Sequence, residues 1–317
     1  MPPPKPPVVV VTGPTAAGKT GIGLALAERF DGEIVNADSM QVYRGLDIGT
    51  AKPTPAERSR VPHHGFDVVD PDQPYDAVRY ARDATRALDA IHERGRAAFV
   101  VGGSGLYIRA LLEGLSVGVG RHDELRAELE AEDAAARAAG DPERLHRRLA
   151  AVDPTRAGAL HPNDRLRIVR ALEVYAASGV APSTLGCGTR PAARWRVLHL
   201  AIDPGREALA ERIDRRCEAM IQAGLLQEVR RLREAGYGPE LPCMRAIGYR
   251  HMQPVVDGRE TLVNVLAAMQ RDTRQFARRQ RTWLRSVADV EWCAPEPLEP
   301  IVARVKRFLA GGDQPPV

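Results

Sequence analysis

The sequence predicts an α/β fold: a parallel-sheet core interrupted by an all-helical insertion. Three observations carry that prediction. Residues 8–12 (VVVVT) are a short β-branched run that leads into a Gly-rich turn and then a helical pattern. Strand, turn and helix then repeat at the same pitch as far as Gly103. After Gly120 the texture changes, and 121–150 is rich in Ala, Glu and Arg with no β-branched run.

Taken in order, the first strand (8–12) is followed by a helix over 20–30, whose apolar face is Ile22, Leu24, Leu26 and Ala27. Further strands are expected at 33–36, 66–69 (FDVV) and 97–101 (AAFVV), with a helix over 77–93. Two or three helices broken at Gly140-Asp141-Pro142, and another over 165–177, make up the insertion, which we bound at 120–193. A loop containing Gly179, Pro182, Gly186, Gly188 and Pro191 closes it, and strand composition returns at 196–202 (RVLHLAI). The core therefore comprises 1–119 and 194–317. From Glu207 the chain reads as mostly helical, with a short amphipathic helix at 301–309 and a frayed tail.

Composition narrows the function. The 317 residues are 44% hydrophobic and 27% charged, an ordinary globular balance that excludes wholesale disorder. No run of about 18 apolar residues exists to span a membrane. The Pro-rich start runs straight into the Gly-rich turn and does not read as a signal peptide. Cys187, Cys217, Cys243 and Cys293 form no C-x-x-C pair, which argues against a zinc knuckle and fits a reducing cytoplasm. Net charge is +4, yet residues 271–285 alone hold six Arg against one Asp. The basic character is thus concentrated in one segment.

Residues 13–20 (GPTAAGKT) match G-x-x-x-x-G-K-[ST] between a strand and a helix, so the core is of the P-loop type. Such a loop turns backbone N–H groups onto phosphate oxygens at a helix N-terminus. Gly13, Pro14, Thr15, Ala16, Ala17, Gly18, Lys19 and Thr20 are the expected diphosphate-binding residues. Lys19 supplies a cation, and the Thr20 hydroxyl is placed to ligate Mg²⁺. The second apolar strand of an NTPase ends in a metal-binding Asp, but 97–101 runs into Gly-Gly-Ser. The nearest acid, Asp38, sits in the polar stretch 36–41 (NADSMQ).

Several stretches together resemble the tRNA dimethylallyltransferases (tRNA isopentenyltransferases). They are GPTAAGKT (13–20), DSMQVYRGLDIGTAKP (38–53), VGGSGLYIRALLEGL (101–115), HPNDRLRIVRALEVY (161–175), CMRAIGYRH (243–251) and RDTRQFARRQRTWLR (271–285). The resemblance spans nearly the whole chain. It implies transfer of a dimethylallyl group from its diphosphate to N6 of the adenosine 3′ to the anticodon. Dimethylallyl diphosphate and the tRNA anticodon stem-loop are the implied partners and Mg²⁺ the implied cofactor, in a cytoplasmic enzyme that we expect to be monomeric. With no C-terminal zinc finger, the chain looks like the bacterial form.

The resemblance also implies roles. Asp38 would be the base that takes an N6 proton, acting with Lys19, Thr20 and a diphosphate-binding Arg. Arg212 and Arg216 lie on one helical face, and we take Arg212 for that Arg. The stretch Asp38, Ser39, Met40, Gln41 would contact adenosine. Ser104, where the family commonly has Thr, would contact tRNA, as would Met244, Arg245, Gly248, Tyr249 and Arg250. Arg167 and Arg170 fall in a further tRNA-contacting stretch, although Leu166 replaces its usual Gln.

Arg271, Arg274, Arg278, Arg281 and Arg285 are spaced by 3, 4, 3 and 4, along one helical face. With almost no acid nearby in sequence, Arg274, Arg278 and Arg281 are assigned to the tRNA backbone, while Phe276, Trp283 and Leu284 are expected to anchor the helix. The insertion is slightly acidic at 121–150, with six Arg against eight Asp plus Glu, and should use few residues on RNA. Two other readings stay open on the residues alone. One is a P-loop kinase or ATPase acting on a nucleotide or RNA. The other is a nucleic-acid-binding module with a nucleotide switch.

Overall fold

A computed structural model of the chain describes residues 5–114, 122–185 and 194–312. Six strands, β1 (Pro7–Thr12), β2 (Gly32–Asn36), β3 (His63–His64), β4 (Ala97–Val101), β5 (Arg196–Ile202) and β6 (Val290–Cys293), form one parallel sheet in the order β3-β2-β4-β1-β5-β6. The central β1 is flanked by β4 and β5, and Val8 to Val11 are fully buried. Parallel strands covered on both faces carry such unbroken apolar runs, which is why VVVV is legible as a strand.

Thirteen α-helices are described. They are α1 (Lys19–Arg29), α2 (Pro55–Arg58), α3 (Ala77–Glu93), α4 (Gly105–Glu113), α5 (Asp123–Ala138), α6 (Arg144–Val152), α7 (Pro154–Gly158), α8 (Arg165–Ser178), α9 (Arg206–Gln222), α10 (Leu225–Glu234), α11 (Tyr249–Val256), α12 (Leu262–Arg285) and α13 (Glu299–Leu309). No helix among the described residues is long and apolar enough to cross a membrane. The chain divides into two compact units, 1–112 with 193–317, and 113–192.

In the smaller unit, α5 to α8 enclose Leu129, Leu145, Leu149, Ile168 and Leu172. Its buried acids are all partnered. Glu173 pairs with Arg126 and Arg170 at 2.8 Å, and Asp153 accepts the N–H of Arg156 and of Ser183. Gly186, Gly188 and Pro191 of the expected loop, Cys187, and 313–317 of the tail lie outside the described residues.

In the larger unit, α1 and α3 cover the sheet and α12 packs on α9 and α11. Two strand expectations are corrected. The third strand is 63–64, not 66–69: Asp67 adopts φ 53°, which breaks a strand, and Val69 makes only an isolated bridge to Tyr43. The turn exists because the Asp67 carboxylate is held by Lys52 Nζ at 2.6 Å and Arg58 at 2.7 Å. Edge strand β6, with its mixed VEWC sequence, was not expected at all.

One buried group fixes the loop that leads from β2 towards α2. Glu228 of α10, 2% exposed, accepts the N–H groups of Asp47, Ile48 and Gly49 at 2.9–3.2 Å and the Tyr249 hydroxyl at 2.6 Å. Truncating it leaves those donors stranded. We expect Glu228→Ala to cost about 3 kcal/mol or more in urea denaturation and Tyr249→Phe about 1–2 kcal/mol. Equal losses would refute the shared-acceptor account.

Candidate active site

The phosphate loop is shaped by backbone that side chains cannot occupy. Gly13 has φ 145°, and a Cβ there would lie 2.3 Å from the Ile202 carbonyl oxygen of β5. Gly18 at φ 98° turns the chain into α1 as a left-handed N-cap with no side-chain capping bond. The first turn of α1 therefore keeps its orphan donors. The N–H groups of Ala16, Gly18, Lys19 and Thr20 meet no protein acceptor among the described residues.

Two of the eight loop positions behave otherwise. Thr15 N–H donates to Gln280 Oε1 at 2.8 Å, and Ala17 N–H to the Pro14 carbonyl at 3.3 Å. These two donors are spent inside the protein, so neither the Thr15 nor the Ala17 N–H is free for a phosphate.

Lys19 Nζ folds back onto the Pro14 carbonyl at 2.8 Å. Burial pushes its pKa down to about 8; the nearby Arg216 cation lowers it further and the Asp38 carboxylate pulls it up. Burial likewise lowers the pKa of Arg216, with Asp38 opposing. The two cations thus crowd one carboxylate in a poorly hydrated space.

Asp38 follows β2 in a turn fixed by Asn36, whose side chain is fully buried. Asn36 Oδ1 accepts the Asp38 N–H at 2.8 Å, and its Nδ2 donates to the carbonyls of Asp38 and Gly65. Asp38 Oδ1 accepts the Met40 N–H at 2.9 Å, which closes an Asx-type turn. No hydrogen bond engages Oδ2 among the described residues. Ser104 Oγ, after β4, accepts the Ser39 N–H at 2.9 Å. Gln41 Nε2 donates to the Thr50 and Ala51 carbonyls.

Three cavities meet here. One, of about 350 Å³, is lined by Asp38, Ser39, Met40, Ser104 and Phe276 among others. A second, of about 730 Å³, opens over Gly18, Lys19, Thr20, Lys52 and Arg212. A narrow third one has Lys19, Thr20, Asp38, Gln41 and Gln280 in its walls. Arg216 lines all three, whereas Arg212 lines only the second and lies 3.8 Å from the exposed Glu296. Arg216 is thus the arginine of α9 that lines cavities with both the loop and Asp38, while Arg212 stays beside the loop, where a Cβ on Gly18 would lie 3.6 Å from its Nη1. Both lie on the helical face that the sequence identifies and both are half-buried; the cavities that they line separate them.

The expected tRNA-contacting residues differ in burial and pairing. Met244 and Tyr249 are fully buried and the Tyr249 hydroxyl is taken by Glu228, so neither side chain is available to RNA. Gly248 is buried at the N-cap of α11. Arg245 and Arg250 are exposed and line the first cavity, Arg250 paired with Asp272 at 2.6 Å. Arg167 is exposed and paired with Asp164 at 3.3 Å.

The arginine face of α12 is not short of acid either. Arg274 is paired with Asp214 of α9, and Arg281 with Asp203 at 2.8 Å. Arg278 has no carboxylate partner among the described residues and joins Arg206, Arg274, Arg281 and Arg285 around a groove between α9 and α12. Phe276 is not a core anchor. It is 38% exposed and lines two of the three cavities, leaving Leu284 and Ala277 to the core.

The chain as a whole has counterparts among known proteins. The IPP transferase family model matches residues 41–287, and an isopentenyl transferase model matches 6–62. A protein named tRNA dimethylallyltransferase 2 from Geotalea uraniireducens (strain Rf4) is 48% identical over 305 residues, covering 96% of this chain and 97% of its own. One from Geobacter metallireducens is 47% identical over 304 residues, covering 95% and 97%. Among solved structures, a tRNA isopentenylpyrophosphate transferase from Bacillus halodurans aligns with a TM-score of 0.69 at 35% identity, covering 97% of this chain and 96% of that one. A eukaryotic dimethylallyltransferase acting on tRNA aligns with a TM-score of 0.82 at 28% identity, covering 97% and 80%. With the family match spanning most of its length, the chain belongs to the IPP transferase family.

Proposed function

We propose that the chain transfers a dimethylallyl group from dimethylallyl diphosphate to the exocyclic N6 of the adenosine 3′ to the anticodon of tRNA. The observation that carries this reading is the shared wall: Lys19, Thr20 and Arg216 line the same narrow cavity as Asp38. A leaving-group cradle and a proton acceptor are thereby brought to one reacting carbon.

The C1–O bond of the allylic diphosphate breaks with its electron pair passing to the diphosphate oxygen. The uncapped loop N–H groups, Lys19 and Arg216 stabilise that developing charge. The N6 nitrogen forms the new bond to C1. Its lone pair is delocalised into the ring, so it is a weak nucleophile until a base draws off a proton. Asp38 accepts that proton on the oxygen that the Met40 turn leaves open. N6 is out of reach within a stacked loop, so the base must enter the cavity extruded. Phe276 at the rim of the cavity offers a ring against which a base can stack.

Mg²⁺ fits the donor set. Among the described residues no group of three or more His, Cys, Asp or Glu could hold a metal, but the Thr20 hydroxyl lines the loop cavity with no hydrogen-bond partner there. Mg²⁺ keeps several waters and takes other ligands from phosphate oxygens, so one hydroxyl is an adequate protein contribution. When bound, it would add positive charge at the leaving diphosphate.

RNA phosphates are assigned to Arg278 and, in exchange for their present carboxylates, Arg274 and Arg281. Ser39, Met40, Gln41, Ser104, Arg245 and Arg250 remain the candidates nearest the acceptor base. A monomer and a cytoplasmic location complete the reading.

Three outcomes test it. Asp38→Ala should lower the single-turnover transfer rate about 10²–10⁴-fold, with tRNA affinity changed less than about threefold; an equal loss of affinity would remove Asp38 from proton transfer. Arg216→Gln should weaken dimethylallyl diphosphate binding at least about tenfold more than Arg212→Gln, because Arg216 lines the cavity that joins the loop to Asp38 whereas Arg212 lines only the cavity over the loop.

The third outcome concerns pH. The folded pKa of Lys19 lies near 8, below the ordinary 10.5, so between these values the unfolded chain holds the proton and the folded chain has lost it. This group's contribution to stability therefore rises with pH across that window. Diphosphate binding needs the ammonium form, so affinity for dimethylallyl diphosphate should fall above pH 8 by up to about tenfold per pH unit. Lys19→Met should bind more weakly throughout and show no such slope by calorimetry.

A further inference from the structure

We propose that Gln280 is a positioning residue that sets the distance between the leaving-group cradle and the base; the inference rests on the transferase reading above. Its side-chain amide is used at both ends. Oε1 accepts the Thr15 N–H of the phosphate loop at 2.8 Å, and Nε2 donates to the Gly103 carbonyl at 3.0 Å. Gln280 is 9% exposed, so neither bond has water standing ready to replace it.

Each arm leads to one half of the chemistry. The Thr15 arm holds the loop that carries Lys19 and Thr20. The Gly103 arm holds the turn after β4, which in turn holds Asp38. The next residue, Ser104, donates its N–H to the Ala37 carbonyl at 3.0 Å and accepts the Ser39 N–H on its hydroxyl at 2.9 Å. The two peptide segments flanking Asp38 are thus tied to the turn that Gln280 grips. Contact is close throughout: a Cβ on Gly103 would lie 2.6 Å from Gln280 Nε2 and 3.3 Å from the Gly13 carbonyl oxygen.

The chemistry of the position is specific. It needs one acceptor and one donor 2–3 Å apart on a short rigid plane, which a side-chain amide supplies. A carboxylate would keep the Thr15 bond but repel the Gly103 carbonyl; a thioether would make neither. Gln280 sits on α12, one turn after Phe276, which lines the cavity that holds Asp38. Because Thr15 N–H is spent on this helix and not on substrate, the bend of the loop at that point is set by α12 before any ligand arrives. A displacement of about 1 Å between reacting groups is enough to cost about 10²-fold in rate.

The test uses the full chain, dimethylallyl diphosphate and an anticodon stem-loop RNA, with rates referred to the folded fraction by circular dichroism. Gln280→Met should lower the single-turnover rate about 100-fold while equilibrium affinity for each substrate changes less than about threefold. Gln280→Glu should be similarly slow at pH 8, and its rate relative to wild type should recover as the pH falls towards 5, because the protonated carboxyl again offers one donor and one acceptor. A Gln280→Met rate within threefold of wild type, a rate loss matched by lost diphosphate affinity, or no relative recovery of Gln280→Glu would each overturn the proposal. Absence of transfer by the wild-type chain would instead overturn the functional reading on which it rests.

Discussion

The site is organised by positive potential that the protein does not neutralise. Among the described residues, four loop N–H groups lack acceptors, Lys19 Nζ has only the Pro14 carbonyl, and Arg216 has only the Thr50 carbonyl at 3.5 Å. Most arginines elsewhere in the core are paired with carboxylates. Among the described residues, the acid that bears on both cations is Asp38, one oxygen of which is committed to its own turn. The loop donors belong to residues that are part-exposed or exposed and line an open cavity, so an anion that enters it meets several donors that no protein acceptor has claimed among the described residues. Burial, and then the Arg216 cation beside it, lowers the pKa of Lys19.

Once that deficit is accepted, the absence of an acid at the end of β4 becomes informative. In an NTPase the second strand supplies a carboxylate that fixes the metal. Here Val101 is followed by Gly102 and Gly103, whose backbone packs against Ala37 and Gln280. The space a metal-binding acid would fill is used to press the Asp38 turn against the loop. Under the proposed function, the acid nearest the loop is Asp38 after β2, which would serve the acceptor base and not a metal.

The sequence made much of this legible where a single residue type has one physical use. VVVV reads as a buried parallel strand, GPTAAGKT as a phosphate loop, and Gly140-Asp141-Pro142 as a break, and the structure has β1, the loop and the gap between α5 and α6 at these places. It was least legible where a partner distant in sequence decides. FDVV has strand composition, but Lys52 and Arg58 draw Asp67 into a left-handed turn. Arg212 and Arg216 share a face, and only the tertiary packing says which cavities each one lines. The arginines of α12 looked unbalanced because Asp214 and Asp203 are some sixty and eighty positions away. Tyr249 looked like a base-contacting aromatic, yet Glu228 claims its hydroxyl. A polar acceptor on another helix leaves no trace in the local pattern.

The long helix α12 gathers these threads because its two sides answer to different demands. Arg274, Arg278 and Arg281 border a groove, two of them held by carboxylates that a phosphate backbone could displace in a salt-dependent exchange. Gln280 and Phe276, on the same 24-residue helix, reach the loop and the cavity that holds Asp38. A helix of this length is stiff, so whatever seats the arginines also seats the amide and the ring. Paired arginines are a better preparation for RNA than free ones: their guanidiniums are already placed, and the ordering entropy is met before binding. Under the proposed function, recognition of the RNA backbone and alignment of the reacting groups are therefore carried by one rigid element, and the precision that the transfer needs does not depend on a mobile loop.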